Sequence, residues 1–359
     1  MSLSRLVRHP QACPLREFCS RHPVRAEYRT GGQDETCVWR SPRRSAERAV
    51  LARKVVRMTP DREALGRTRI GPAGWSYPDW EGQVYPKRKP RGFDPLAYLA
   101  QYFDTIEINN TFYRIPSAAM TKKWAQRVAD YPDFRFTAKL WQGFTHEGQA
   151  SAQDETAFQQ AMAPLQEAGK LGAVLVQFPY RFHHTPENRA YLQRLAGTFG
   201  GYPLVLEIRH RSWDRPQVYD FLRELGIGFC NIDQPQVSYG IGLTRVVTSP
   251  IGYLRLHGRN VAAWFAEDAG RDARYDYRYT DDELQEIVEV AKILSRRARE
   301  TYLIANNHFR GQAVLNALEL QYHLQRRPIQ VPLPLLETYP EACRLLRPPP
   351  DPAAEAGAP

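Results

Sequence analysis

From Arg69 onward the chain alternates short apolar runs with longer stretches whose apolar residues recur at helical spacing. The short runs predict eight strands: Arg69–Gly71, Thr105–Asn109, Arg135–Lys139, Ala173–Phe178, Leu204–Arg209, Gly228–Asp233, Gly252–His257 and Thr301–Asn306. The stretches between them carry helix start signals. Asp94 before Pro95 pairs an N-cap carboxylate with proline at the first helical position, ahead of Leu96, Leu99 and Phe103. Thr185-Pro186 repeats the device before Leu192, Leu195 and Phe199. Thr280 and Glu283 have capping-box spacing before the apolar stripe Leu284, Ile287, Val288, Ala291 and Leu294. Ser117, Met120, Trp124 and Val128 mark a further helix. Eight βα units in about 250 residues predict an α/β fold, a (β/α)8 TIM barrel. An open doubly wound sheet is the alternative, but it usually has fewer strands and a glycine-rich dinucleotide turn. The sixth helix is weak or missing, since only turn signals separate Asp233 from Gly252.

The strands also alternate in polarity. In Ile106-Glu107-Ile108-Asn109 the isoleucines share one face, and Glu107 and Asn109 the other. Leu206-Glu207-Ile208-Arg209 and Leu254-Arg255-Leu256-His257 follow the same rule, while Asn231 and Asp233 alternate with Cys230 and Ile232. Lys139 follows Phe136 and Ala138, and Gln177 follows Val174 and Val176. If the apolar set packs under the helices, the polar set points to the barrel axis at the carboxyl ends of the strands, where barrel enzymes keep their sites. A purely structural ion network is the competing reading. Burying Glu107, Lys139, Glu207, Arg209, Asp233 and Arg255 together costs several kcal/mol per ion, and valine or leucine would fill a plug at less cost. With His257, Asn306 and Asn307 joining them, a ligand site is the better expectation.

Charge changes the picture at one end only. The net charge is +10, but residues 1–69 hold 16 Lys/Arg against 7 Asp/Glu. Subtracting these from totals of 49 and 39 leaves 33 basic and 32 acidic residues for positions 70–359, so the barrel is near neutral and shows no polyanion-binding surplus. Residues 1–68 therefore read as an Arg-rich, disordered extension, with one short helix at Ala46–Val56; residues 69–340 read as the barrel, and 341–359 as a disordered Pro/Ala-rich tail. Met58 is a second candidate start, which leaves open whether residues 1–57 belong to the native protein. Cys13, Cys19, His22 and Cys37 are zinc-ligand types, but their spacings lack paired C-x2-C knuckles. The longest apolar run, around Ala173–Val176, is far below a bilayer span, and no secretory apolar region occurs, so a cytoplasmic location is expected.

The same stretches resemble the domain-of-unknown-function family 72, also called YecE-like. The resemblance rests on Gly71–Trp80 (GPAGWSYPDW), Ile106–Pro116 (IEINNTFYRIP), Phe134–Gly148 (FRFTAKLW and FTHEG), Leu175–Pro179, Leu206–Trp213, Asn231–Asp233, Leu254–Arg259 and Ala305–Ala317. It implies a TIM barrel and no particular activity. The residues themselves suggest chemistry. Glu107 and Glu207, on strands two and five, suit paired acid/base work of the glycoside-hydrolase kind, with His257 and Asp233 assisting. Lys139 has the amine of a Schiff-base former, though neighbouring carboxylates favour its ammonium and a charge-stabilising role. Arg209 and Arg255 offer forks for carboxylate or phosphate; Asn109, Gln177, His210, Asn306 and Asn307 orient a hydroxyl-rich ligand. The reading is an enzyme of acid/base or hydrolytic type acting on a small polar, anionic or sugar-like substrate, without a cofactor. Two alternatives remain. Glu207, Asp233 and His257 imitate the ligand progression of divalent-metal isomerase or phosphodiesterase barrels, against which stand two crowding arginines. A nucleic-acid or nucleotide-binding module is the other, gripping phosphates through the basic extension and stacking on Trp75, Tyr77, Trp80, Tyr85, Trp141 or Trp213, most of which should be packing residues. Neither a G-x-S-x-G elbow nor a P-loop occurs.

Overall fold

Eight strands, β1 (Arg67–Pro72), β2 (Thr105–Ile108), β3 (Arg135–Lys139), β4 (Leu171–Gln177), β5 (Leu204–Glu207), β6 (Gly228–Asp233), β7 (Ile251–Leu256) and β8 (Glu300–Ala305), run parallel in one sheet. They belong to a computed structural model that describes residues 65–236, 238–264 and 270–349. Residues 1–64 of the extension, with its cysteines and the helix expected at Ala46–Val56, and the end of the tail lie outside the described residues, whereas Arg67 and Thr68, expected in the extension, already belong to β1. Parallel ladders join β2 through β8 in sequence order and then β8 to β1. Between β1 and β2 there is a single bridge, Ala73 to Glu107, with Gly74 N donating to the Glu107 carbonyl at 2.8 Å. The sheet is thus a nearly closed TIM-type barrel. The joint needs a glycine at position 71: a Cβ there would sit 1.8 Å from the Thr105 carbonyl oxygen.

The anticipated caps are in place. Asp94 accepts from Leu96 N and Ala97 N at the start of helix Pro95–Leu99. Ser117 and Thr185 cap helices Ala118–Arg127 and Pro186–Phe199, and Thr280 forms a capping box with Glu283 on helix Asp281–Arg297. Among the described residues no helix lies between β6 and β7. The side chain of Asn231 holds that connection instead, accepting from Val246 N (2.8 Å) and Thr244 Oγ1 (2.7 Å) and donating to Val246 O (2.9 Å). Beyond residue 340, where the sequence suggested a tail, Pro340–Leu346 forms a 3-10 helix with Ala342 and Leu345 buried; Leu345 O accepts from Ile329 N.

Two apolar clusters define the strand faces. The larger fills the space between sheet and helices and takes Ile106, Ile108, Phe136, Ala138, Val174, Val176, Leu206, Leu254 and Leu256. The smaller occupies the barrel axis and joins Ala73, Ala173, Leu175, Val205, Cys230, Ile232, Tyr253, Tyr302 and Ile304.

Candidate active site at the carboxyl-terminal mouth

Period-two alternation carries the inward face of each strand up from the axial cluster to the mouth. Above Tyr253 on β7 come Arg255 and then His257; above Val205 on β5 comes Glu207; Glu107 and Lys139 hold the inward positions of β2 and β3. Arg255 lies at the centre, fully buried. Its Nη2 donates to Glu107 Oε1 at 2.7 Å and its Nη1 to Glu207 Oε2 at 2.5 Å. The second oxygen of Glu107 is 3.0 Å from the Tyr253 hydroxyl, itself 2.8 Å from Thr137 Oγ1. The second oxygen of Glu207 accepts from Arg209 Nη2 at 3.1 Å and lies 3.3 Å from His257 Nε2. Asn306 Nδ2 is 3.0 Å from His257 Nδ1. With the amide donating, Nδ1 accepts and Nε2 holds the ring proton toward Glu207.

Two expected members of this set face the other way. Asp233 points to the helix layer, where Arg259 Nε and Nη2 (2.8–3.1 Å) and the Tyr279 hydroxyl bind its carboxylate. The reason is local: on β6 it is Cys230 and Ile232 that fill the axis, so Asn231 and Asp233 turn outward. Asn307 lies beyond the end of β8; its Nδ2 donates to Tyr277 O and Asn316 Oδ1, both at 2.8 Å, tying the loop to helix Gln312–Gln325.

Protonation follows from this packing. Burial alone would raise Glu207, but Arg255, His257 and Arg209 outweigh it and hold the carboxyl well below its usual range. Burial pushes His257 down to about 3, helped by the two guanidinium groups and only partly opposed by Glu207, so the ring is neutral at physiological pH. Burial, with repulsion from Arg255, lowers Lys139 to about 8 against a weaker pull from both glutamates. The ammonium still predominates at neutral pH, but burial and Arg255 outweigh the pull of two glutamates whose oxygens are already bound by Arg255, Tyr253, Arg209 and His257, so it is held less firmly than an exposed lysine's.

The site has two tiers. Glu107, Glu207, Arg255 and His257 form a sealed floor with no side-chain exposure. Half-buried above it stand Lys139, Asn109, Gln177, His210 and Arg209, the last with 16% of its side chain exposed. Among the described residues, Asn109 Oδ1 and Gln177 Oε1 have no hydrogen-bond partner. Lys139 Nζ lies 5.4 Å from the centre of the Phe112 ring. His146, which the sequence reading passed over, joins this tier from the π-helical turn Gly143–Glu147 after β3. Its Nδ1 is 2.9 Å from Thr145 Oγ1, and burial together with Arg181, Arg209 and Lys139 lowers it to about 4. The wide turn that places it is visible only in the structure, and a lone histidine in FTHEG does not reveal it. A concavity of about 610 Å³ also opens at the opposite end, lined by Thr68, Ile70, Phe103, Asp104, Asp133 and Ile329. Two of its carboxylates, Asp104 and Asp133, pair with Arg67 and Arg69.

Comparison with known proteins places this architecture. The family model described as Protein of unknown function DUF72 matches residues 69–340. The chain belongs to the DUF72 family. The UPF0759 protein YunF of Bacillus subtilis is 30% identical over 266 residues, covering 70% of this chain and 92% of that protein. A crystal structure of a DUF72 family protein from Thermotoga maritima superposes with a TM-score of 0.63 at 35% identity, covering 72% of this chain and 99% of that one. Another, from Enterococcus faecalis, gives 0.65 at 32% identity, with coverage of 72% and 95%.

Within this DUF72 barrel, no group of three or more His, Cys, Asp or Glu side chains is arranged to hold a metal among the described residues. The trio Glu207, Asp233 and His257 does not form, because Asp233 lies on the far side of β6. Most of the mouth aromatics pack: Trp80, Tyr85 and Trp213 are buried, and the indole nitrogens of Trp80 and Trp213 donate to His308 O and Phe182 O at 2.7 and 2.8 Å. No helix of the described residues is long and apolar enough to cross a membrane.

Proposed function

We propose that the protein is an enzyme that binds a small anionic, hydroxylated molecule at the barrel mouth and acts on it by proton transfer. One observation carries this reading: among the described residues, half-buried Lys139 stands over a cluster in which two guanidinium groups, Arg255 and Arg209, already balance two carboxylates. Glu107 and Glu207 offset Arg255 and Arg209, so protonated Lys139 is surplus positive charge. Surplus charge beneath low-dielectric walls attracts an anion. Arg209, whose Nε and Nη2 donate to Glu207 at 3.3 and 3.1 Å, supplies the guanidinium charge for its carboxylate or phosphate. Asn109 and Gln177, with acceptors unsatisfied, take the protons of its hydroxyl groups. Lys139, with its proton affinity near neutrality, is the acid/base group, since proton transfer works best when the group's pKa lies near the working pH. His257 and the two glutamates, sealed beneath, serve as positioning residues for Arg255 and Arg209 rather than as groups that meet substrate. A divalent-metal barrel has less support, with Asp233 turned to the helices.

The test is a thermal-shift comparison of ribose 5-phosphate and 3-phosphoglycerate with ribose and glycerol. The phosphorylated compounds should raise the melting temperature of the wild-type chain, and Arg209→Met should lose that rise. Equal shifts from the neutral partners, or an undiminished shift in Arg209→Met, would reject the anionic pocket.

A further inference from the structure

Lys139 is set up for more than proton transfer. It ends β3 on the inward face, half-buried, and among the described residues its Nζ makes no hydrogen bond and no ion pair. A buried-edge lysine usually finds a carboxylate. Two lie on inward positions of the same mouth, Glu107 on the adjacent strand and Glu207 two strands away, yet each has both oxygens committed: Glu107 to Arg255 and Tyr253, Glu207 to Arg255, Arg209 and His257. The Phe112 ring covers one side of the amine and offers only the modest attraction of an aromatic face. Arg255 thus withholds from Lys139 the counter-charges that would keep it a spectator ammonium. A half-buried amine with no carboxylate bound to it, in the same tier as a guanidinium that can hold an anionic group, is the arrangement needed to capture a carbonyl carbon.

We infer that Lys139 Nζ is a nucleophile that forms an imine with an aldehyde or ketone carrying a carboxylate or phosphate, the anionic group resting on Arg209. This rests on the anionic pocket proposed above and narrows its ligand to carbonyl compounds. The nitrogen lone pair forms the C–N bond while the carbonyl π pair moves to oxygen, which takes up a proton. The nitrogen then passes one proton to that hydroxyl, which leaves as water. Amine, carbonyl compound and one proton give the protonated imine and one water. The proton consumed comes from solvent at the mouth, with His146 beside it as a neutral relay. Lowered proton affinity supports the assignment: at pH 8 about half of the Lys139 side chains carry a neutral amine, roughly a hundredfold more than an ordinary lysine.

The experiment is reductive trapping on the full chain at pH 8, with pyruvate or glyoxylate and sodium cyanoborohydride, read by intact mass and peptide mapping. The expected result is a single adduct on Lys139, forming at least about tenfold faster than on the exposed Lys122 or Lys123, as the hundredfold amine advantage allows. Lys139→Arg should lose it, and acetone, lacking the anionic group, should label far more slowly. Adducts spread evenly over the lysines, or retained in Lys139→Arg, would overturn the assignment. The phosphorylated non-carbonyl 3-phosphoglycerate separates the two ideas. If it stabilises the chain but no Lys139 adduct forms, the nucleophile falls and the pocket stands; if neither occurs, both fall.

Discussion

At the scale of single residues, Arg255 organises the rest. It is fully buried, reaches two carboxylates on opposite strands, and decides by those contacts what Lys139 can be. Removing one partner of a buried ion cluster costs far more than the net worth of the cluster, because the remaining charges stay desolvated. Arg255→Met should therefore lower stability by about 3–5 kcal/mol in urea unfolding. Adding Glu107→Gln and Glu207→Gln to the same chain should recover a large part of that loss. A loss below about 1 kcal/mol for the single variant would mean that water, and not Arg255, satisfies the two carboxylates. The same triad explains what the pattern of residues told and did not tell. Glu107, Glu207, Arg255, His257 and Lys139 were legible as one inward set from alternation alone. Their pairing was not, since which oxygen meets which guanidinium nitrogen depends on strand stagger. The acid/base character expected of the glutamates thus passes to Lys139 in our reading.

At the scale of elements, β6 shows where polarity misleads. Both faces of a strand in a parallel barrel are buried, so apolar and polar positions can exchange faces without exposing either. Here Cys230 and Ile232 face the axis, and Asn231 and Asp233 find partners among the helices and loops, contacts far away in sequence. The missing sixth helix was legible, and Asn231 is its physical replacement. Asn231→Leu should unpin the 234–250 connection and leave Val246 N unsatisfied, at about 1–3 kcal/mol for each group left without a partner. Limited proteolysis should then cut within that connection first. A variant as stable and resistant as wild type would show that backbone contacts hold the loop unaided.

At the scale of the whole molecule, the buried centre sets an acid limit. Unfolded, His257 takes a proton near pH 6.5; folded, it takes none until about 3. Between those values the unfolded state binds one more proton, so stability falls as pH falls, by about 1.4 kcal/mol per pH unit. Glu207 adds to the loss lower down, since it is held ionised in the fold and protonates near its usual value when unfolded. His146, lowered to about 4, adds a loss of the same sign, so urea titrations at pH 7, 6, 5 and 4 should fall more steeply than this, and His257→Gln should reduce the slope between 6.5 and 5 by about 1.4 kcal/mol per pH unit. An unchanged slope would assign the acid limb to other groups. The barrel itself was legible in strand count and caps, whereas the helix formed by Pro340–Leu346 was not: its few apolar residues acquire meaning only against Ile329 and the wall they cover.

The joint between the first and second strands has a further consequence. Every other neighbouring pair is zipped by a ladder, but here, among the described residues, a single β-bridge at Glu107 is joined by side-chain contacts of Asp104 with Ile70 N, Arg67 and Arg69. The main chain of Glu107 grips the first strand while its carboxylate reaches across the axis to the seventh. One residue thus joins the ring by its main chain and spans it by its side chain, so a change at Glu107 is felt both at the seam and at the mouth.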